Sequence, residues 1–175
     1  MRPNWMPPRM RASNHSPTAG RVLSRLRLGL PSGDGQSTTL EGMISMALSP
    51  EERDIVARID EAAPRLVELA DQIHALAELG YEEHRSSELL SAELARAGFA
   101  IERGVAGLST AFRATANGAL PGPAIGFLAE FDALPGIGHA CGHNLIGTAA
   151  VGAAIGVSAV RHALPGTVQV FGTPA

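Results

Sequence analysis

The sequence predicts an α/β fold, and three features of its hydrophobic pattern support this class. Apolar residues recur at helical spacing over residues 55–77, behind a Ser49-Pro50 helix start. The short apolar run over residues 124–131 is typical of a strand buried on both faces of a sheet. Residues 145–160 are apolar all round and rich in Gly and Ala, which favours a helix packed closely on that sheet.

The other elements follow from turn and breaker residues. A second helix is predicted near residues 86–97, because Gly98 suits a left-handed cap. Pro64 is expected to kink or split the first helix. Three more strands are predicted, with turns at 117–118 and 121–123 before the buried strand; these strands are residues 99–103, 108–114 and 167–171.

Length and composition indicate one folded domain behind an N-terminal extension. Residues 1–48 are rich in Arg, Ser, Pro and Gly and are expected to be disordered, whereas residues 49–175 form the folded unit. The extension is interpreted as a tail without function or as an upstream start-site artefact, with translation beginning at Met43 or Met46. A transit peptide is the alternative. The net charge of −3 favours neither a nucleic-acid nor a membrane partner. One cysteine excludes an internal disulfide and fits a cytoplasmic location.

The residues with most chemical potential follow the predicted buried strand. Asp132 stands where this strand ends, and ligands bind at the carboxyl ends of strands in open α/β sheets. The glycine-rich turn over residues 136–142 allows Asp132, His139, Cys141 and His143 to come close together. Thiolate and imidazole suit zinc and similar transition metals, and Asp132 offers a hard oxygen. The sequence therefore indicates a metal site.

Other interpretations of this turn remain open. Cys141 is alternatively a small buried hydrophobe, with the histidines as ordinary loop residues and His74 as a structural histidine. A dinucleotide-binding turn is a poor fit, because Gly142 comes one residue too late and no acidic residue follows Asp132. A Cys-His nucleophile pair is conceivable, but near neighbours rarely adopt the required geometry.

Two motifs together resemble a known family. The runs AEFDALP (residues 129–135) and HACGHN (residues 139–144) resemble the core of the M20 metallopeptidases. The similarity is to the amidohydrolase branch, which holds aminoacylases, p-aminobenzoyl-glutamate hydrolases and related dipeptidases. Residues 73–83 resemble the helix-ending motif of the same branch, and the resemblance covers residues 49–175. It implies a three-layer catalytic domain with a mixed, mostly parallel sheet, present here only in part.

The resemblance also implies a reaction and its residues. It assigns Cys141 and His143 as metal ligands and Asp132 as a catalytic residue that supports the metal site. The cofactor is two divalent ions in the complete enzyme, of zinc, manganese or cobalt. The substrate is a small amide, namely an N-acyl amino acid, a dipeptide or a p-aminobenzoyl-glutamate-like molecule. Two departures, Glu130 in place of a ligand histidine and Asn144 in place of an aspartate, are expected to shift substrate choice more than chemistry.

The resemblance further implies that this chain is an inactive fragment. In the family, a Glu-Glu pair with the general base follows the strand that resembles residues 168–175, and no glutamate follows that strand in this sequence. Two divalent ions carry four positive charges, against two negative charges on Asp132 and the Cys141 thiolate. We therefore expect marginal stability and an exposed sheet edge after residues 168–171. Full-length family members are expected to be homodimers, which this chain does not itself support. A non-catalytic binding module on the same fold is the alternative function.

Overall fold

The computed structural model describes residues 48–174, in which three helices lie on a four-stranded sheet. The predicted extension, residues 1–48, lies outside the described residues except for Leu48. The helices are α1 (Pro50–Leu76), α2 (His84–Arg96) and α3 (His143–Ala159). The strands are β1 (Ala100–Arg103), β2 (Phe112–Asn117), β3 (Leu120–Glu130) and β4 (Pro165–Thr173), with short 3-10 turns at Val105–Gly107 and Arg161–Ala163.

Helix α1 begins and ends at local signals in the sequence. Ser49 and Glu52 form a reciprocal capping box, with the Glu52 amide 3.1 Å from Ser49 Oγ and the Ser49 amide 2.7 Å from Glu52 Oε2. The helix ends at Ala77, which is left-handed with φ 45° and donates its amide to the Ile73 carbonyl at 3.2 Å. Pro64 lies inside α1 and does not split it. A proline removes one backbone bond, and the apolar face packs on both sides of it.

The sheet is mixed, which confirms the predicted α/β class. Its strand order is β1-β2-β4-β3, in which β3 and β4 are parallel and the other two pairs of the described sheet are antiparallel. Helix α3 makes the crossover between the parallel strands. The prediction of an exposed edge after residues 168–171 is wrong, because β4 pairs with β2 on one side and β3 on the other. Strand β3 is an edge of the described sheet instead.

One face of this sheet holds the core of the described unit. Alternate residues of β2 and β4 are buried there, and they meet apolar side chains from all three helices. The largest buried side chains include Phe112, Phe131, Ile73, Leu90, Leu94 and Ile155. The prediction that residues 124–131 are buried on both faces is wrong, since Ile125 is 52% and Leu128 63% exposed. Within residues 48–174, the helices cover one face of β3, and β3 pairs with one other strand, β4.

Two strand boundaries also differ from the predictions. Strand β2 begins at Phe112, later than the predicted strand 108–114, because the Ala111 amide turns back to the Leu108 carbonyl at 3.1 Å. Residues 121–123, predicted as a turn, lie within β3. They coincide with a register irregularity between Leu120 and Ala124, where the prolines donate no ladder bonds.

Helix α3 approaches its neighbours closely through its glycines. A Cβ at Gly147 would lie 2.6 Å from the Glu130 carbonyl oxygen on β3. A Cβ at Gly152 would lie 2.8 Å from the Leu66 side chain of α1, and one at Gly156 would lie 2.7 Å from Ile59. These contacts confirm α3 as a helix packed on the sheet. Across residues 48–174, no helix combines the length and apolar character that a membrane crossing requires.

Candidate metal centre

The candidate residues lie in the site segment, residues 130–144, which joins the carboxyl end of β3 to the start of α3. Its turn closes on itself through paired amide and carbonyl groups of Leu134 and Gly138, at 2.9 and 3.1 Å. Gly138 and Gly142 adopt left-handed φ angles of 60° and 84°, which side chains disfavour. The Ala133 amide donates to the Glu78 carbonyl at 2.8 Å and so joins the segment to the chain after α1.

A histidine between two carboxylates forms the centre of the site segment. His143 Nδ1 lies 2.6 Å from Oδ1 of the buried Asp132. His143 Nε2 lies 3.1 Å from Oε2 of Glu130, whose side chain is 45% exposed. When Nδ1–H is donated to Asp132, a neutral ring directs its Nε2 lone pair at a second acceptor, the Glu130 carboxylate. A divalent cation is the kind of group that accepts electron pairs from both, so this pair fits the predicted cofactor.

Cys141 occupies a different environment. It is a free, exposed cysteine, so the alternative of a small buried hydrophobe is wrong. Among residues 48–174, no group of three or more His, Cys, Asp and Glu side chains is arranged to hold a metal ion. The structure therefore brings Asp132 and His143 together and does not add Cys141 to them. The assignment of Cys141 and His143 as ligands stays a prediction.

His139 and Asn144 lie on either side of these residues and are both buried. His139 Nε2 contacts the Ile73 carbonyl at 3.1 Å, and Asn144 Nδ2 donates to the Ala70 carbonyl at 3.3 Å. Burial lowers the pKa of His139, against the hydrogen bond to Ile73, which acts to raise it. The exposed ring of His74 lies 6.0 Å from that of His139, between centroids. No spacing in the sequence indicates these contacts, because 66 and 74 residues separate the partners.

Glu78 also makes contacts near the site that the sequence did not indicate. Its carboxylate accepts the Arg85 amide at 3.1 Å, the Ser86 amide at 2.8 Å and the Ser86 hydroxyl at 2.7 Å. Burial acts to raise the pKa of Glu78, but these hydrogen bonds and the Arg85 charge outweigh it and hold the pKa below its ordinary value. Glu78 therefore connects the start of α2 to the site segment through its side chain and its carbonyl.

Comparison with known proteins shows which proteins this chain is similar to. No family model matches the chain. It is 45% identical over 134 residues to human Xaa-Arg dipeptidase, covering 67% of this chain and 30% of that protein. It is 36% identical over 145 residues to a subunit of p-aminobenzoyl-glutamate hydrolase from Escherichia coli, covering 70% and 30%. A solved Bacillus subtilis structure, described as a dinuclear metal-binding peptidase from the M20 family, matches with 28% identity and a TM-score of 0.60, covering 64% and 35%.

The chain is a relative of the M20 peptidases. This confirms the resemblance drawn from residues 129–135 and 139–144. The chain spans about a third of the length of the curated relatives it matches. A structure from Staphylococcus aureus, described as a putative aminohydrolase, supports the fold, with a TM-score of 0.63 at 20% identity and coverage of 71% and 35%. The metal, dinucleotide-binding and nucleophile interpretations of the glycine-rich turn stay predictions.

Proposed function

We propose that the complete protein is a metal-dependent amide hydrolase of the M20 type. The observation that carries this proposal is the Asp132–His143 pair, which lies at the carboxyl end of β3 in a chain similar to hydrolases. The hydrogen bond between His143 Nδ1 and the Asp132 carboxylate fixes the imidazole ring, and proteins commonly orient a metal-binding histidine in this way. The relative described as dinuclear supports a cofactor of two divalent ions, which we assign to zinc, manganese or cobalt.

Each residue of the site segment has a role in this proposal. The Asp132 carboxylate accepts a hydrogen bond from Nδ1–H of His143. This bond fixes the ring and leaves Nε2 as the ligand atom. Cys141 supplies a thiolate from its exposed position on the turn. When bound, the two ions act as Lewis acids on the scissile carbonyl. Glu130, next to Nε2 in this structure, is a further oxygen donor at the same point.

We propose a dipeptide as the first substrate class to test. The names of the relatives describe an Xaa-Arg dipeptidase and a p-aminobenzoyl-glutamate hydrolase, and the identity to the dipeptidases is higher, at 44–45% against 36%. N-acyl amino acids are the third class. Each is a small molecule joined by an amide bond. We also propose a homodimer for the complete protein, as the M20 resemblance implies, and a cytoplasmic location, which fits the single cysteine of this chain.

The 175-residue chain by itself is proposed to be inactive. Two divalent ions bring four positive charges, whereas Asp132 and the Cys141 thiolate carry two negative charges. The half-exposed Glu130 carboxylate adds a third negative charge, so one positive charge is still not balanced. Within residues 48–174 no three-donor cluster compensates for it. The chain is therefore expected to bind one ion weakly and to turn over no substrate.

The test is a chimaera that separates the site segment from the rest of the enzyme. Residues 124–154 of this chain replace the equivalent segment of the Escherichia coli hydrolase, and the chimaera is assayed on p-aminobenzoyl-glutamate and on arginine dipeptides with zinc, manganese or cobalt. We expect activity that is lost on Cys141→Ala and on His143→Ala, and parallel assays of the 175-residue chain should be silent. Activity that persists in both variants, or in chelator, contradicts the proposal. Substrate binding without turnover favours the non-catalytic module.

A further inference from the structure

We propose that His139 and Asn144 form a clamp that fixes the candidate ligands against helix α1. The α1 clamp is defined as these two side chains and the carbonyl groups of Ile73 and Ala70 that they contact. His139 and Asn144 are positioning residues and do not themselves bind the metal. The inference rests on the proposed function, since it concerns where the ligands of that site are held.

The two contacts converge on one short stretch of α1. His139 Nε2–H donates to the Ile73 carbonyl at 3.1 Å, and Asn144 Nδ2–H donates to the Ala70 carbonyl at 3.3 Å. Ile73 and Ala70 are three residues apart, so their carbonyls lie on the same face of the helix. Both are buried, at 0% and 6% exposure. The clamp therefore attaches the site segment to the buried face of α1 near its end.

The attached residues enclose the candidate ligands in sequence. His139 lies two residues before Cys141, and Asn144 lies one residue after His143. Both ends of the ligand-bearing stretch are therefore fixed to the same helix. Helix α1 also packs on α3 through Gly152 and Gly156, so it is itself held in place. The ligands thus take their position from backbone carbonyls of a packed helix.

The chemistry of the clamp requires hydrogen-bond donors. The Asn144 amide donates to a carbonyl oxygen, which an ionised aspartate at the same position cannot do. An aspartate carboxylate there would instead face the Ala70 carbonyl, acceptor against acceptor, in a site where Asn144 is only 7% exposed. His139 is similar, because it is 7% exposed and its Nδ1 has no hydrogen-bond partner within the described part of the chain. Among the described residues, the one hydrogen bond of the His139 side chain is to the Ile73 carbonyl of α1.

A control residue on α3 separates positioning from stability. Thr148 is buried one turn after Asn144, and its hydroxyl hydrogen-bonds to the Asn144 carbonyl within its own helix. Replacing Thr148 by Val removes a buried hydrogen bond without detaching the site segment from α1. His139→Gln provides the complementary control, since a glutamine amide retains a donor for the Ile73 carbonyl, whereas His139→Ala does not.

The experiment compares the 175-residue chain with Asn144→Asp, Asn144→Ala, His139→Ala, His139→Gln and Thr148→Val. Hydrogen–deuterium exchange by mass spectrometry follows peptides over residues 134–146. Zinc affinity is measured by competition with a chromophoric chelator, and cobalt(II) reports thiolate coordination by its absorption band. We expect His139→Ala and both Asn144 variants to raise exchange in this segment by about tenfold. They should weaken zinc binding by about 10- to 100-fold and reduce the cobalt–thiolate band. His139→Gln and Thr148→Val should resemble the parent chain.

Several outcomes overturn the clamp. Unchanged exchange in folded His139→Ala and Asn144→Ala shows that the contacts do not hold the segment. Raised exchange with unchanged zinc affinity shows that they order the segment without positioning the ligands. A Thr148→Val variant as weak as Asn144→Ala shows that general destabilisation is responsible. If Asn144→Asp fails to fold, the His139→Ala and His139→Gln pair decides the question. A parent chain that binds neither zinc nor cobalt contradicts the weak ion binding proposed for this chain. The clamp is then judged by hydrogen–deuterium exchange alone, from its rise in His139→Ala and its recovery in His139→Gln.

Discussion

Helix α3 is held in two different ways at its two ends. From Gly147 onward it is placed by contact, because its glycines bring its backbone against β3 and α1. Its first two residues are held by directional hydrogen bonds, from His143 to Asp132 and from Asn144 to the Ala70 carbonyl of α1. Close packing sets the distance between layers, and hydrogen bonds set the orientation of particular side chains. The scaffold and the candidate site are therefore expected to fail separately when mutated.

The largest effect is expected from filling the contact at Gly147. Gly147→Val places a Cβ 2.6 Å from the Glu130 carbonyl oxygen, and this backbone atom cannot yield as a flexible side chain can. We expect a loss of about 3 kcal/mol in the free energy of unfolding, measured by urea denaturation. Ala149→Val, at an exposed position two residues later, is the matched control and should cost less than about 1 kcal/mol. Helix propensity alone would make Gly147→Val neutral or slightly stabilising, so a Gly147→Val variant that costs no more than Ala149→Val would show that the close approach to Glu130 does not constrain the helix.

The next effect tests the directional end of the helix. Asp132→Asn removes the carboxylate that lies 2.6 Å from His143 Nδ1 while preserving the shape of the side chain. Zinc affinity, measured by calorimetry, should fall by about 10- to 100-fold, because the imidazole loses the partner that fixes its orientation. The variant should remain folded by circular dichroism. Exposed acidic residues provide the control, and Glu88→Gln on α2 should leave zinc affinity unchanged. Equal affinity for Asp132→Asn and the parent chain would remove Asp132 from the site.

The same division explains what the sequence could predict. The start of helix α1 at Ser49-Pro50 and its apolar periodicity over residues 55–77 were predicted, since both are local signals, whereas the split expected at Pro64 does not occur. The small side chains of α3 correctly indicated a packed helix. The edge position of β3 could not be predicted, because an apolar run looks the same in a central strand and in an edge strand of a sheet covered on one face.

For the candidate site, the sequence located the residues but not their partners. The motif around Asp132 and His143 identified the pair that the structure joins. The exposure of Cys141 and the contacts of His139 and Asn144 with α1 depend on tertiary packing over 66 and 74 residues, which no spacing rule reaches. Family resemblance located residues through their motif, whereas only the fold supplies the backbone groups that hold them.

A smaller effect is expected on the uncovered side of β3. Leu128 is 63% exposed on an edge strand of the described sheet, and residues 120–129 carry no charge to oppose pairing with another copy. Leu128→Lys should raise the monomer fraction severalfold at a given concentration in sedimentation velocity, with unfolding free energy changed by less than about 0.5 kcal/mol. Leu108→Lys, which replaces a 40% exposed residue outside the strands, is the control and should leave self-association unchanged. A monomeric parent chain would show that this edge is already protected.

The smallest effect concerns Glu78, whose hydrogen bonds brace the loop beside the site segment. The Ser86 and Arg85 contacts hold its pKa below the ordinary value of 4.5 in the folded chain. A carboxyl group with a lowered folded pKa contributes stability that is fully present above its unfolded pKa and is lost as the pH falls through the folded pKa. The difference in unfolding free energy between the parent chain and Glu78→Gln should therefore be largest near neutral pH and shrink as the pH falls below about 4.5. Urea denaturation at several pH values measures this difference, with Glu88→Gln on the exposed face of α2 as the control. If the difference is constant with pH, the carboxylate charge of Glu78 does not stabilise the fold.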